Sequence, residues 1–435
     1  MNLKIGKFGR SLFWQTFIKI IATALGLYTT RWLIGHTSGA DYNSYLVVID
    51  YAQIILAVID LGIPRIVQKF YTNSKDDAEI PAFWTAFTWL RVFSYFFGIV
   101  LIGLSFKFSS IDNLGFILAI FSLQFILVSD LAFRSICDAK GHTWQFSVTD
   151  LANRLLLVFG LIAYDILKLG NNGLNYFLIV TAISYVFGIL ADSIWQRKFY
   201  SFGPLDLGIL KKYARPIIYL ALSGFTVATY FQTRKIILNN YGYDADIVNG
   251  FGNAEKIFTL VGIVPGLTMP MIASKVKKRL DEGQLSTLGE WFKLKFNWSV
   301  TKSILSEWLT YTFILSLVLT IGTLLFGPLI IWLIDTQGKY MSAYQVLPIL
   351  SLGILPFTVV IFLANLIIFL NGEKYELYGT TILAVIGLSL YFLLIPKGGV
   401  YGASWASVLV FFIDLALKFY FLKKVLDQRS GIYKD

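Results

Sequence analysis

The sequence predicts an all-α integral membrane protein with about 12 transmembrane helices. Three observations carry that prediction. The mean hydropathy is +0.67. Only 14% of the 435 residues are charged, against about 25% in soluble domains. Apolar runs long enough to cross a bilayer follow one another along the whole chain. A soluble fold of this length has too little interior to hide that much apolar surface, so lipid must be its second solvent.

A membrane-spanning helix needs about 20 mostly apolar residues. Such runs fall at 12–34, 45–67, 83–106, 114–133, 147–167, 174–196, 216–238, 250–272, 304–326, 346–370, 377–395 and 400–422. The basic start, MNLKIGKFGRSLF, leads into the first run without a small-residue cleavage site and reads as the cytoplasmic lead of a retained helix. The ninth run continues through Phe326-Gly327-Pro328 to Ile334. Pro328 is expected to end that helix and leave GPLIIWLID as an interfacial piece. Pro64 follows Asp60, Pro265 and Pro270 interrupt the eighth run, and Pro348 and Pro356 interrupt the tenth. Each is a candidate kink or hinge.

Loop charge orients the helices. With both ends inside, the inner segments hold about 23 Lys and Arg and the outer loops about four, Lys107, Lys168, Lys339 and Lys397. An odd helix count would scramble that asymmetry. A long inner loop divides the spans six and six: a bundle over 1–200, a cytoplasmic linker over 201–215, and a second bundle over 216–435. A second long inner segment, about 275–302, contains STLGEWFKLKFNW. Its mixture of aromatic and basic residues suggests an interfacial helix or a docking site for a cytoplasmic partner.

Several function classes are excluded. The net charge of +11 belongs to the helix-orienting loops rather than to nucleic-acid binding. One cysteine, Cys137, and two histidines leave no structural zinc site and no internal disulfide. No cofactor is expected, and no outer loop is large enough to hold a catalytic domain.

Charges within the spans are the informative residues, because each costs about 2.5–3.5 kcal/mol at a helix centre unless it pairs, snorkels or meets water. Lys19, Asp60, Arg91 and Arg154 lie about 10–12 Å from the inner face, and Arg31, Asp50, Arg234, Glu255 and Lys256 lie in the outer third. Asp130 and Arg134, and likewise Asp414 and Lys418, are four apart and can pair on one helix face. The charges either hold helices together as pairs or line a water-filled cavity. The cavity reading makes Lys19, Arg31, Arg91, Arg154, Arg234 and Lys256 the binding cations for an anionic passenger. Asp50, Asp60 and Glu255 are then candidate ion carriers.

The sequence resembles the polysaccharide transporter family, the Wzx-type flippases of the MATE-like MOP superfamily. The carrying segments are TTRWLIGHTSGADYNSY, DLGIPRIVQKFYTN and FRSICDAKGHTWQF in the first half. In the second half they are NGFGNAEKIFTLVGIVPGLTMPMIAS, NGEKYELY and IPKGGVYGASWASVL. Asn43 stands where that family usually has glycine, and Ile34 intrudes before Gly35. The resemblance implies a MATE-like fold and a non-enzymatic flippase. It would carry undecaprenyl-pyrophosphate-linked oligosaccharide (O-antigen, capsule or exopolysaccharide units) across a bacterial or archaeal plasma membrane, the inner membrane of a Gram-negative cell. Alternating access through a cationic central cavity would move the head while the lipid tail stays in the bilayer. Its partners would be the lipid-linked oligosaccharide, membrane lipids, and a polysaccharide polymerase with its chain-length machinery. Two other functions compete. A multidrug or cation antiporter of the same superfamily should favour acidic residues in its cavity. An integral-membrane glycosyltransferase or polymerase should show paired catalytic carboxylates, whereas the first outer loop offers Asp41 alone.

Overall fold

A computed structural model describes residues 7–73, 79–105, 113–140, 143–169, 172–281 and 304–429. The helices are α1 Lys7–His36, α2 Gly39–Ile59, α3 Ile63–Asn73, α4 Ile80–Ser105, α5 Leu114–Lys140, α6 Thr143–Leu167 and α7 Gly173–Gln196. They continue as α8 Leu207–Asn240, α9 Ala245–Asp281, α10 Ile304–Ile334, α11 Ser342–Leu352, α12 Ile354–Phe369 and α13 Glu373–Arg429. No strand occurs among the described residues.

Seven helices are long and apolar enough to cross a membrane, or eight when α11 and α12 count as one bent span. Helix α13 is two rods, because Gly399 at φ 52° and ψ −131° turns the chain after Pro396; an L side chain rarely adopts that φ. With α13 divided, and with the long but more polar α1, α8 and α9 included, the described chain forms the twelve expected rods. The surface is what lipid requires. Trp89, Phe93, Phe97, Val100 and Leu104 make an exposed apolar stripe along α4, and Arg91 lies about 160° around the helix from it.

Two expectations need correction. Pro328 does not end the ninth span: α10 runs unbroken from Ile304 to Ile334 with the proline inside. Helix α9 also continues through Pro265 and Pro270. Membrane helices tolerate proline where neighbours and local backbone adjustment satisfy the freed carbonyl. The second span is not one rod either. It breaks between α2 and α3, where Leu61 and Gly62 both take positive φ (56° and 61°). The tenth span bends by 48° at Gly353, between Pro348 and Pro356. There the missing N–H of Pro356 removes the hydrogen bond that would cross the break. The segment proposed as an interfacial helix, and the side chain of Lys19, lie outside the described residues.

The chain divides into two compact units, Met1–Ala228 with Leu333–Asp335, and Thr229–Trp332 with Thr336–Asp435. The division falls within α8. In the first unit α1 packs on α6, and α5 packs on α2, α3 and α7. Val48, Ala52, Ile55, Leu56 and Ile59 of α2 meet Ile102 of α4 and Ile117, Ile120 and Phe121 of α5. In the second unit α12 packs on α9 and α13. Phe362, Leu363 and Leu366 of α12 are buried with Met269 and Ala273 of α9 and Leu422 and Val425 of α13.

Candidate functional site

In the first unit, the break between α2 and α3 leaves helix-end carbonyls and one acid to satisfy. Arg91 of α4 does both. Its Nη2 lies 2.7 Å from Asp60 Oδ1 and donates to the Val128 carbonyl at 3.3 Å, while Nη1 donates to the Asp60 carbonyl at 3.4 Å. The guanidinium stands 5.6 Å from the Phe125 ring centroid, and only 12% of the side chain is exposed. Arg91 and Asp60 are thus brought together as a pair that closes the kink.

Arg154 is held differently. It sits near the midpoint of α6, and its Nε lies 3.6 Å from Asp150 Oδ1, one turn earlier. Helix α1 approaches closely: a Cβ added at Gly26 would stand 2.9 Å from Arg154 Nη1. Yet 35% of the Arg154 side chain remains exposed. The exposed apolar stripe of α6 is Leu155, Phe159 and Ile166, and Arg154 lies about 120° around the helix from the centre of that stripe. A mid-helix charge pointing away from the lipid-facing residues and still open must meet water, since lipid contact there is costly.

One turn of α6 away lies a site that the sequence reading missed. Asp130 of α5 and Asp192 of α7 are both buried, on helices that pack against each other. Thr149 donates to Asp192 Oδ1 at 2.6 Å. Asp150 adds charge nearby. Arg134, one turn after Asp130 on α5, stands 5.3 Å from the ring centroid of Phe146. Thr149-Asp150 beside Arg154 on α6 was the available signal.

Arg31 is exposed near the outer end of α1. Next to it Trp32 donates to both oxygens of Asp165 at 3.1 Å, and His36 Nε2 lies 3.0 Å from Asp165 Oδ1. Asp50 is buried in α2.

In the second unit the charges are sealed. Arg234 pairs with Glu255 Oε1, Lys235 Nζ lies 2.9 Å from Glu255 Oε2, and Arg234 Nη1 donates to Ser407 Oγ at 2.8 Å. The Arg234 guanidinium also sits 4.5 Å from the Phe231 centroid. Side-chain exposure is 2% for Arg234 and 7% for Glu255. Lys256, the next residue on α9, is half-buried. A second cluster joins Lys418 to Glu376 at 2.7 Å and to Asp414 at 3.7 Å. The Asp414–Lys418 spacing anticipated one arm of it; Glu376 came from a different rod of α13. Among the described residues no group of three His, Cys, Asp or Glu is arranged to hold a metal ion.

No family model matches the sequence, and no curated protein matches it either. Solved structures do. A MATE transporter in complex with MaL6 superposes with a TM-score of 0.72 at 15% identity, over 97% of each chain. A multidrug resistance MATE family transporter of the MOP superfamily, in its inward-facing conformation, gives 0.70 at 14% identity, over 97% of this chain and 100% of the other. A MOP superfamily transporter from Pyrococcus furiosus, described by the reverse polarity of its binding pocket, gives 0.69 at 15%, over 98% and 96%. At such identities the likeness concerns architecture. The chain is a multi-pass helical membrane protein with the fold of the MATE transporters of the MOP superfamily.

Proposed function

We propose that the protein is a membrane transporter whose passenger is the anionic head of a lipid-linked oligosaccharide. The observation that carries this reading is Arg154: an arginine at mid-membrane depth, turned from the lipid face, with a third of its side chain open. A guanidinium fork suits a pyrophosphate, because it can present two parallel donors to two oxygens. Arg31, exposed towards the outer end of α1, is a second cation for the same head. Sequence resemblance to polysaccharide flippases supports the same class of passenger.

The Asp130–Asp192 pair is the group suited to ion coupling, since it sets two buried carboxyl groups on packed helices inside the first unit. The charged groups facing it, Asp150 and through it Arg154, connect proton load to the passenger cation. Asp60 and Glu255 are less suited, being occupied by Arg91 and by Arg234 with Lys235. A second reading is a multidrug or cation antiporter, favoured by the fold likeness to a multidrug resistance MATE transporter and by the same carboxyl pair.

The test is transport in vesicles. Purified protein under a pH gradient should move a fluorescent undecaprenyl-pyrophosphate oligosaccharide between leaflets and leave ethidium in place. Movement of ethidium without oligosaccharide would establish the antiporter instead.

A further inference from the structure

We propose that the inner ends of α6 and α7 form a binding site for an anionic phospholipid of the cytoplasmic leaflet. This site does not depend on the identity of the passenger. A cavity of about 720 Å³ lies there, lined by Gln145, Ala191, Ile194, Trp195, Arg197 and Lys198. No lining residue is acidic, and the two cations are exposed. Trp144, in the first turn of α6, meets Trp195 edge-on at 5.8 Å between centroids, and both are partly exposed. Tryptophans beside Lys and Arg mark headgroup depth. Loop charge assigns this end to the cytoplasmic side, where anionic lipids concentrate.

The apolar surface beside the cavity says that the occupant is a lipid rather than a free phosphate. Ile183, Phe187, Leu190 and Ile194 are all exposed and follow one another at helical spacing up α7 in a single stripe that ends at the cavity. From Ile183 to Ile194 the stripe is about 16 Å long at 1.5 Å per residue, about half of a 30 Å hydrocarbon core. Headgroup depth at Arg197 and Lys198, and one leaflet of apolar contact beyond, match an acyl lipid with a phosphate head.

The test uses the full-length protein in vesicles and reads Trp195 fluorescence as the difference between wild type and Trp195→Phe. Phosphatidylglycerol and phosphatidylcholine, each brominated near the head end of the chains, serve as quenchers. Half-maximal quenching should need about fivefold less phosphatidylglycerol than phosphatidylcholine. In Arg197→Gln/Lys198→Gln that ratio should fall to about one, with helical circular dichroism unchanged. Should the double variant fail to fold, wild type in 0.5 M NaCl supplies the same answer, because screening should cut the ratio at least about twofold. Equal quenching by both lipids in wild type, or selectivity that survives both neutralisation and salt, would overturn the proposal. Loss of selectivity on adding inorganic pyrophosphate at constant ionic strength would also overturn it, by identifying a soluble-phosphate site.

Discussion

The two units of this protein treat their charges in opposite ways. In the second unit, Arg234, Lys235 and Glu255 form one closed cluster and Lys418, Glu376 and Asp414 another, with every member below a tenth exposed. In the first, Arg154 is open and pairs with Asp150, next on α6 to Thr149, which donates to the buried Asp192. Sealed clusters hold helices in register, since removing one partner strands the others. An open cation beside buried carboxyl groups can exchange partners with something that arrives. On the proposed function, binding and coupling fall to the first unit and rigidity to the second.

That contrast can be broken most forcefully in the second unit. Glu255→Gln leaves Arg234 and Lys235 buried without their acid, and the loss should be about 3–5 kcal/mol. It would be seen as a collapse of the folded, detergent-soluble fraction. Lys418→Met strands Glu376 and Asp414 and should cost about 3 kcal/mol by the same logic. If either variant kept the wild-type Tm, the sealed clusters would not be structural.

Smaller and sharper effects are expected in the first unit. Arg154→Gln should lower oligosaccharide movement about tenfold or more while stability shifts by less than about 1 kcal/mol, because an open ion pair contributes little to folding. Asp192→Asn should leave folding intact and remove the dependence of transport on the pH gradient; a variant that still followed the gradient would exclude the carboxyl pair. The smallest change is expected at Lys212, paired at 3.0 Å with Glu79 on the exposed surface. Lys212→Gln should leave both transport and Tm unaltered.

The sequence displayed the helices well and the partnerships poorly. Apolar runs of spanning length located the spans, since each is dictated by local composition, but did not show the break between α2 and α3 inside the second. Prolines were less reliable. Pro348 and Pro356 flank a real bend, whereas Pro265 and Pro328 sit inside unbroken helices, because tertiary neighbours decide whether a freed carbonyl opens the helix. The identity of the buried charges was visible, but their partners were not. Asp60 and Arg91 are 31 residues apart, and Thr149 and Asp192 are 43 apart. Such pairs are fixed by which helices touch. The i to i+4 rule found Asp414 with Lys418 but could not show Glu376, which reaches Lys418 from the other rod of α13.

The most direct measurement places a cysteine at Arg154 in a Cys137→Ser background, which is otherwise free of thiols, and follows its reaction with a membrane-impermeant thiol reagent. The account predicts labelling that is slowed by added lipid-linked oligosaccharide and unaffected by ethidium. A position 154 that never reacts, or one protected by ethidium and not by oligosaccharide, would contradict it.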